Sequence, residues 1–319
     1  MGETTAKVSI IGCGNVGMRY AYAMIIKNMV RELVLIDIDM DRVMGEVMDL
    51  NHSIPFTGPA SIIAGGYSDM EGSDLVVITA GKNQGPGQNR LDLIKENIDI
   101  FQKIMPQINE NSPDSVLLIV TNPVDIMAYA ANKLSLRPHN LVIGSGTTLD
   151  SARLKSRMAE HCGIDARDIH TYILGEHGDS EFALWSSSTI GGVPFKDYCP
   201  VCDRRKECDF DINIKGEIFN QVKESAYEII EKKKETSYGI GLSLARISEA
   251  ILDNQNSIMP VSVLIEDIFD VNDVYLSLPC ILNSDGVRQV IVPLMDEKEK
   301  KSFKDSAAVL RKNLDQFDI

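Results

Sequence analysis

The sequence predicts an α/β protein in which a doubly wound parallel sheet is followed by a second, α+β region. In the first half of the chain, short apolar runs alternate with segments of helical periodicity, which is typical of a parallel sheet covered on both faces. A glycine-rich turn follows the first apolar run. Three later runs, at 258–265, 275–281 and 287–293, are separated by turn residues and predict antiparallel strands. We therefore divide the chain into residues 1–144 and 145–319.

Composition limits the class of protein and its partners. The 319 residues are 44% hydrophobic, enough for a large core. A formal net charge of −14 repels nucleic-acid phosphates and anionic lipid surfaces, so we expect neither as a partner. The sequence has no targeting signal and no apolar run of about 18 residues, and its six cysteines do not form the dense pattern of a disulfide scaffold. We therefore expect a cytosolic protein with reduced thiols.

The first predicted strand, 7–11, runs into a dinucleotide-binding pattern. Glycines at positions 12, 14 and 17 form G-x-G-x-x-G between this strand and a helix predicted over 18–28. Gly12 makes the tight turn, Gly14 lets the backbone approach a pyrophosphate, and Gly17 allows helix and strand to pack closely. The pattern predicts a Rossmann-type site, although glycine-rich turns also serve other nucleotides.

The second predicted strand, 33–36, ends in Asp37, twenty residues after Gly17. An acid at this place accepts hydrogen bonds from the ribose hydroxyls and repels a 2′-phosphate, which favours NAD over NADP. The alternative is a solvated acid at the end of a strand.

The remaining strands of the first half predict a crevice along one edge of the sheet. Ligands bind beyond the carboxyl ends of parallel strands, and small or polar residues follow the predicted strands there. The predicted strands are 61–64, 75–80, 116–120 and 141–143, with helices over 91–109 and 124–134.

A polar loop at 82–90 follows one of these strands. Gly85, Pro86 and Gly87 break regular structure, and a loop of this kind beside a cofactor crevice suits a lid. Arg90 stands where the next helix begins, although a helix N-terminus favours anions. It either binds an anionic ligand or merely starts a surface helix.

A helix predicted from 147 to about 161 carries Asp150 and Arg153 three residues apart, hence on one face. The two form an ion pair within the helix, or each points to a different partner. In the second case, Arg153 offers its planar fork to a carboxylate and Asp150 accepts from His177. His177 lies between two glycines after a strand predicted over 170–174. A fixed imidazole of this kind can exchange a proton with a substrate oxygen.

Longer motifs occur in a fixed order along the chain. They are Gly-Cys-Gly-Asn-Val-Gly at 12–17, Leu-Ile-Asp at 35–37, the Asn-Gln to Arg-Leu-Asp-Leu segment at 83–93, Thr-Asn-Pro-Val-Asp at 121–125, Leu-Asp-Ser-Ala-Arg at 149–153 and Gly-Glu-His-Gly-Asp at 175–179. In this order they resemble the L-lactate/malate dehydrogenase family, and more closely its bacterial L-lactate dehydrogenase branch. The resemblance extends from about residue 7 to the last helix. It implies hydride transfer between NAD and a 2-hydroxy acid, as in glycolysis and fermentation.

The resemblance implies a role for each candidate residue. His177 is the acid/base, Asp150 orients it, Arg153 binds the substrate carboxylate, and Arg90 polarises the substrate carbonyl when the loop closes. The other implied substrate contacts are Gln84, Asn122 and Thr236. The implied cofactor contacts are Gly12, Gly14, Asn15, Val16, Gly17, Asp37, Gly81, Val120, Asn122 and Ile240.

Gln84 indicates which substrate is used. Malate dehydrogenases that resemble this loop carry an arginine at the Gln84 position, which pairs with the second carboxylate of oxaloacetate. A neutral glutamine would leave that carboxylate desolvated and unpaired, so Gln84 favours pyruvate. Malate or broader 2-hydroxy acid dehydrogenase activity, including activity on bulkier 2-keto acids, is the alternative. A catalytically silent NAD-binding protein is a third hypothesis, which the presence of Arg90, Asp150, Arg153 and His177 disfavours.

Two further features concern assembly and metals. The resemblance implies a homodimer or homotetramer, and an allosteric fructose 1,6-bisphosphate site at a subunit interface whose positions read Lys155 and His170 here. Lysine keeps the charge of the family's arginine but loses its bidentate fork. Cys199, Cys202 and Cys208 resemble part of a zinc pattern, but a structural site needs four ligands, so we expect a surface loop and no metal.

Overall fold

The computed structural model describes residues 5–82, 90–203 and 214–317, apart from the side chain of Arg90. Its main sheet has nine strands, in the order β14-β13-β12-β6-β5-β4-β1-β2-β3. The strands of this sheet are β1 (Lys7–Ile11), β2 (Glu32–Ile36), β3 (Ser61–Ala64), β4 (Leu75–Ile78), β5 (Val116–Ile119), β6 (Val142–Gly144), β12 (Ser257–Ile265), β13 (Val274–Asn283) and β14 (Gly286–Val290).

Strands β1 to β6 form the parallel, doubly wound part of the sheet. The order 3-2-1-4-5-6 reverses between β1 and β4, and ligands of such sheets bind at this reversal. The apolar side chains of β1, β4 and β5 are buried almost completely, which explains their continuous apolar runs. The predicted sheet is therefore confirmed, although β4 ends at Ile78, two residues early.

Helices cover both faces of the sheet. Within the described residues they are α1 (Asn15–Ile26), α2 (Met40–Ser53), α3 (Arg90–Asn111), α4 (Val124–Leu134), α5 (Thr148–Cys162), α6 (Phe195–Tyr198), α7 (Lys215–Lys233), α8 (Tyr238–Leu252) and α9 (Glu297–Leu314). Helix α1 begins inside the glycine pattern, three residues before the predicted start, so its first amide groups face the turn. No helix in the described part of the chain is both long and apolar enough to cross a membrane.

The second region adds three antiparallel strands to the same sheet. Strand β12 pairs with β6 through Ser262 and Gly144, and β13 and β14 follow as antiparallel neighbours. The three predicted antiparallel strands are therefore confirmed, although the last ends at Val290 and not at residue 293. The division of the chain at 144/145 stays a prediction, and the sheet is continuous across it.

The strand predicted over 170–174 is wrong. The chain forms two short strands, β7 (Ile169–His170) and β8 (Ile173–Leu174), which pair with different partners. Strand β7 joins a small sheet with β10 (Thr189–Ile190) and β11 (Val193–Pro194), whereas β8 pairs with β9 (Phe182–Ala183). An apolar run does not show where pairing changes partner, because that depends on distant strands.

Candidate active site

Residues 175–179, here called the histidine loop, follow β8 and are held by hydrogen bonds to three elements that are distant in sequence. Gly175 exchanges two backbone hydrogen bonds with Ser277 of β13, at 3.2 and 2.9 Å. The Glu176 amide donates to Ser306 Oγ of α9 at 2.7 Å, and the His177 amide donates to Asp125 Oδ2 of α4 at 2.7 Å. Because all three of these amide groups donate to another element, the position of His177 is defined by the tertiary structure.

Gly175 allows the loop to turn towards α5. Its φ is +90°, a region that residues with a side chain rarely adopt, and a Cβ atom there would lie 2.8 Å from Ser306 Oγ. Gly175 therefore serves both the backbone conformation and the close approach to α9.

Two ion pairs that share Asp150 connect it to His177 and to Arg153. Asp150 Oδ2 lies 2.7 Å from His177 Nδ1, and Asp150 Oδ1 accepts from an Arg153 terminal nitrogen at 2.8 Å. Exposed fractions of the three side chains are 29%, 4% and 15%, respectively. The sequence left open whether Asp150 pairs within its helix or with the histidine, and the structure combines both. Asp150 can do so because each oxygen serves one partner.

The pKa values follow from this arrangement. Burial lowers the pKa of His177, but the Asp150 carboxylate and its hydrogen bond raise it more, and the result is a pKa of about 9. Burial opposes ionisation of Asp150, yet the His177 and Arg153 cations hold its pKa below the usual range. At neutral pH the pair is an imidazolium beside a carboxylate, and Asp150 occupies Nδ1 but not Nε2.

Asp125 is a second buried carboxylate beside His177. It is 2% exposed and accepts from Ser262 Oγ at 2.5 Å as well as from the His177 amide. Burial raises its pKa to about 6, against the effect of these two hydrogen bonds. The sequence analysis assigned no role to Asp125 or Ser262. A serine inside the apolar run of β12 was the available signal, since a buried hydroxyl needs a partner.

The glycine turn meets the requirements of a dinucleotide at the reversal of strand order. Gly12 has φ +101°, and a Cβ atom there would lie 2.3 Å from the Ala80 amide nitrogen. A Cβ atom at Gly14 would meet nothing within 4 Å, so open space adjoins the amide groups that start α1. Asp37 Oδ2 accepts from the Cys13 amide at 2.6 Å, which fixes the acid at the mouth of the turn. The residues present therefore fit a bound dinucleotide.

The other predicted cofactor residues surround this turn. Gly81 and Val120 follow β4 and β5, and Val16, Val120 and Ile240 are partly buried against the main core. Asn97, which the sequence analysis missed, is fully buried, accepts from the Lys82 amide at 2.8 Å and donates to the Asn122 carbonyl at 2.9 Å. It ties two strand ends of the crevice together.

The predicted substrate residues are only partly described. Asn122 is exposed after β5, at a cis peptide bond to Pro123. Thr236 precedes α8, whose first turn packs on α5, since a Cβ atom at Gly239 would lie 3.1 Å from Leu149 Cδ1. Gln84 lies outside the described residues, as does the side chain of Arg90.

Lys155 and His170, the predicted effector residues, lie on α5 and β7, which contact each other. His170 is exposed, whereas the Lys155 ammonium lies 5.5 Å from the centre of the Tyr172 ring, and burial lowers its pKa. Cys199 and Cys202 form no disulfide in the described part of the chain, and no cluster of three potential metal ligands forms around them there. Cys208 lies outside those residues.

Comparison with known proteins identifies the family. Residues 6–144 match the lactate/malate dehydrogenase NAD-binding domain, and residues 147–318 match the lactate/malate dehydrogenase alpha/beta C-terminal domain. An L-lactate dehydrogenase of Clostridium acetobutylicum is 46% identical over 316 residues, 99% of each chain, and one of Priestia megaterium is 43% identical over 98% of this chain and 96% of its own.

Two solved structures agree over nearly the whole chain. A lactate dehydrogenase from a Medee basin deep-sea metagenome library has a TM-score of 0.93 at 46% identity, covering 98% of both chains. The minor L-lactate dehydrogenase of Enterococcus mundtii, in a ligand-bound form, has a TM-score of 0.93 at 39% identity, covering 99% of both. The chain described here belongs to the lactate/malate dehydrogenase family.

Proposed function

We propose that this NAD-dependent oxidoreductase is an L-lactate dehydrogenase, which interconverts pyruvate and L-lactate with His177 as the proton donor and acceptor. The observation that carries the proposal is the 2.7 Å contact between His177 Nδ1 and Asp150, beside the dinucleotide end of the sheet. The relatives named L-lactate dehydrogenase support it, at 43–46% identity across nearly the full chain.

The glycine turn and the strand ends would hold NAD. Gly12, Gly14 and Gly17 would leave room for the pyrophosphate at the start of α1, with Asn15 and Val16 in the same turn. Asp37 would accept hydrogen bonds from the ribose hydroxyls. The cofactor residues beyond the turn would be Gly81, Val120, Asn122 and Ile240. When bound, NAD supplies or accepts the hydride at C2 of the substrate.

His177 moves the proton. With a pKa of about 9 its ring is cationic at neutral pH and ready to donate from Nε2 to the C2 oxygen as pyruvate is reduced. Lactate oxidation requires the neutral ring, which becomes abundant only as pH rises through that value. Asp150 holds the ring in one orientation and stabilises its charged form throughout.

Arg153 is the proposed carboxylate anchor. Among the described residues its one hydrogen bond joins a terminal nitrogen to Asp150, so the rest of the guanidinium fork can take the substrate carboxylate bidentately. The Asp150 contact holds the fork in place before substrate arrives. Thr236 and Asn122 are proposed to line the pocket, and Arg90 to polarise the carbonyl from the loop.

Gln84 is the proposed selector between pyruvate and oxaloacetate. The test is NADH oxidation with each keto acid side by side, in the wild type and in Gln84→Arg. We expect the wild type to prefer pyruvate by kcat/KM, and the variant to shift towards oxaloacetate by about tenfold or more, since an unpaired desolvated carboxylate costs several kcal/mol. Oxaloacetate turnover without pyruvate turnover in the wild type would make the protein a malate dehydrogenase, and an unchanged ratio in the variant would place the selector elsewhere.

A homo-oligomer is proposed from the exposed apolar side chains of α2 and of Ile38, two residues before it. Ile38, Met40, Met44 and Met48 are 102%, 41%, 48% and 63% exposed, respectively, and the last three are four residues apart on one helix face. A dimer or tetramer would cover this face. Sedimentation of the wild type and of Met44→Glu tests this: we expect the charged variant to dissociate, and a monomeric wild type would contradict the proposal.

The Lys155 and His170 pair is the proposed fructose 1,6-bisphosphate site. The exposed His170 supports it, while the position of Lys155 over Tyr172 leaves that ammonium less available to a phosphate. The test is pyruvate reduction with and without the bisphosphate, in the wild type and in Lys155→Ala. We expect the bisphosphate to raise the activity of the wild type and not that of the variant, and a wild type that does not respond would contradict the proposal.

A further inference from the structure

A third carboxyl group, Glu181, stands beside the His177–Asp150 pair. It directly precedes β9, and its amide donates to the Gly178 carbonyl at 3.2 Å, so the chain turns back over the histidine. Glu181 is only 8% exposed. Side-chain atoms of Glu181, Asp150 and His177 all lie within 4.8 Å of one another.

Glu181 differs from its charged neighbours because its carboxyl group forms no hydrogen bond or ion pair with any residue that the structure describes. Lys223, whose charge acts on Glu181, donates instead to the Asp179 carbonyl at 2.6 Å. A buried carboxylate without a partner is costly, so such a group keeps its proton to higher pH. Burial and the Asp150 charge, in that order, raise the pKa of Glu181 to about 8, against the His177, Lys223 and Arg153 cations.

The three groups lie close enough together to hold a metal ion. Their existing hydrogen bonds indicate instead that they interact with one another electrostatically. Both oxygens of Asp150 are already used, one by His177 and one by Arg153. The Arg153 cation would also repel a metal at this position. What remains is an ionisable acid facing an ionisable base.

We propose that Glu181 is a positioning residue that keeps His177 protonated at alkaline pH, and so extends the pH range in which pyruvate is reduced. As pH rises, Glu181 loses its proton first and places a negative charge next to the imidazolium. That charge stabilises the proton on His177, because an opposite charge within about 4–6 Å favours the charged form. The inference rests on the proposed role of His177 as the acid.

The other ionisable groups around His177 each have a hydrogen-bonded partner, which leaves Glu181 as the carboxyl group without one among the described residues. They come from α4, α5, α7 and the loop itself. They are Asp125 (with Ser262 and the His177 amide), Asp150 (with His177 and Arg153), Arg153 (with Asp150), Glu176 (with Ser180) and Lys223 (with the Asp179 carbonyl).

The test is the pH profile of kcat/KM for pyruvate in Glu181→Gln, which keeps the shape of the side chain and removes its charge. We expect the alkaline limb to move to lower pH, with kcat/KM reduced about three- to tenfold at pH 9 and within about twofold of wild type at pH 6. Glu224→Gln, an exposed substitution on α7 that also removes one negative charge, is the matched control and should leave the limb in place.

Two other outcomes overturn the inference. An unchanged limb in Glu181→Gln would show that the carboxylate does not act on His177, and an equal loss at every pH would show a packing role. If Glu181→Gln does not fold, NMR titration of His177 in the wild type decides: ionisation of Glu181 should appear as a second step in the chemical shift of the imidazole, and a single step would overturn the inference. A wild type without pyruvate reduction overturns the proposed function, whereas a normal wild type with an unmoved limb overturns only this inference.

Discussion

The proposed active site has two parts that are built in different ways: the part that would bind NAD, here called the cofactor end, and the part that would transfer the proton, here called the catalytic end. The cofactor end is made of backbone: a glycine turn, the first amide groups of α1 and the strand ends, with the Asp37 carboxylate hydrogen-bonded to the turn. The catalytic end is made of charged side chains from α4, α5 and the histidine loop, which are far apart in sequence. A backbone site tolerates change in many side chains, whereas a charge cluster depends on each of its members. The predictions below test this difference.

The largest expected effect is that of His177→Ala. The catalytic end then loses its proposed proton donor, and general acid catalysis contributes about 10²–10⁴-fold, so kcat for pyruvate should fall by about that factor. The cofactor end should be untouched, with NADH affinity by fluorescence titration close to wild type. His139→Ala, at an exposed histidine, is the control. Lost NADH binding would mean that the two ends are not separable.

Asp150→Asn should have the next largest effect. The amide keeps the shape but removes the charge that raises the pKa of His177, so this pKa should fall from about 9 towards its usual value of 6.5. The alkaline fall of kcat/KM for pyruvate would move to lower pH accordingly, and kcat/KM at pH 8 would drop by about 30-fold. Glu160→Gln, at an exposed position of the same helix, is the control. If the alkaline fall of kcat/KM stays near pH 9, Asp150 does not set the pKa of His177.

Asp37→Asn tests the charged group that is hydrogen-bonded to the glycine turn at the cofactor end. The amide oxygen can still accept from the Cys13 amide, but the negative charge that opposes a 2′-phosphate is gone. We expect the NADP to NAD ratio of kcat/KM to rise by about tenfold, since juxtaposed like charges cost on the order of a kcal/mol or more. Asp49→Asn, an exposed change on α2, serves as the comparison. An unchanged NADP to NAD ratio would show that Asp37 is only a solvated acid at the end of β2.

Ser262→Ala should have the smallest effect, on stability and not on catalysis. Ser262 is fully buried, and its loss leaves Asp125 with one donor fewer, which costs about 1–3 kcal/mol in the free energy of unfolding. The thermal midpoint should fall by a few degrees while kcat stays within about twofold of wild type. Ser156→Ala, at an exposed position, should change neither. A large loss of kcat would instead give the Asp125 contact a direct part in orienting His177.

The sequence predicted the cofactor end well because its features are local. The glycine spacing, the apolar strand and the acid at the next strand end all lie within about 30 residues, and the strand order of the structure agrees with them. The prediction failed where pairing partners were distant, as in the strand expected over 170–174. It also missed Asp125 and Glu181, because a single acid in a sequence does not reveal its burial.

The sequence by itself determined the fold class, the dinucleotide turn and the residue types of the catalytic cluster, because periodicity and spacing are properties of the chain alone. Only the tertiary structure decided that Asp150 bonds to His177 and Arg153 at once, and that the Glu181 carboxyl group is buried beside them with no partner in the described part of the chain. The physical reason is that a pKa depends on burial and on charges within a few ångströms, and those neighbours are brought together by packing of the second region onto the sheet.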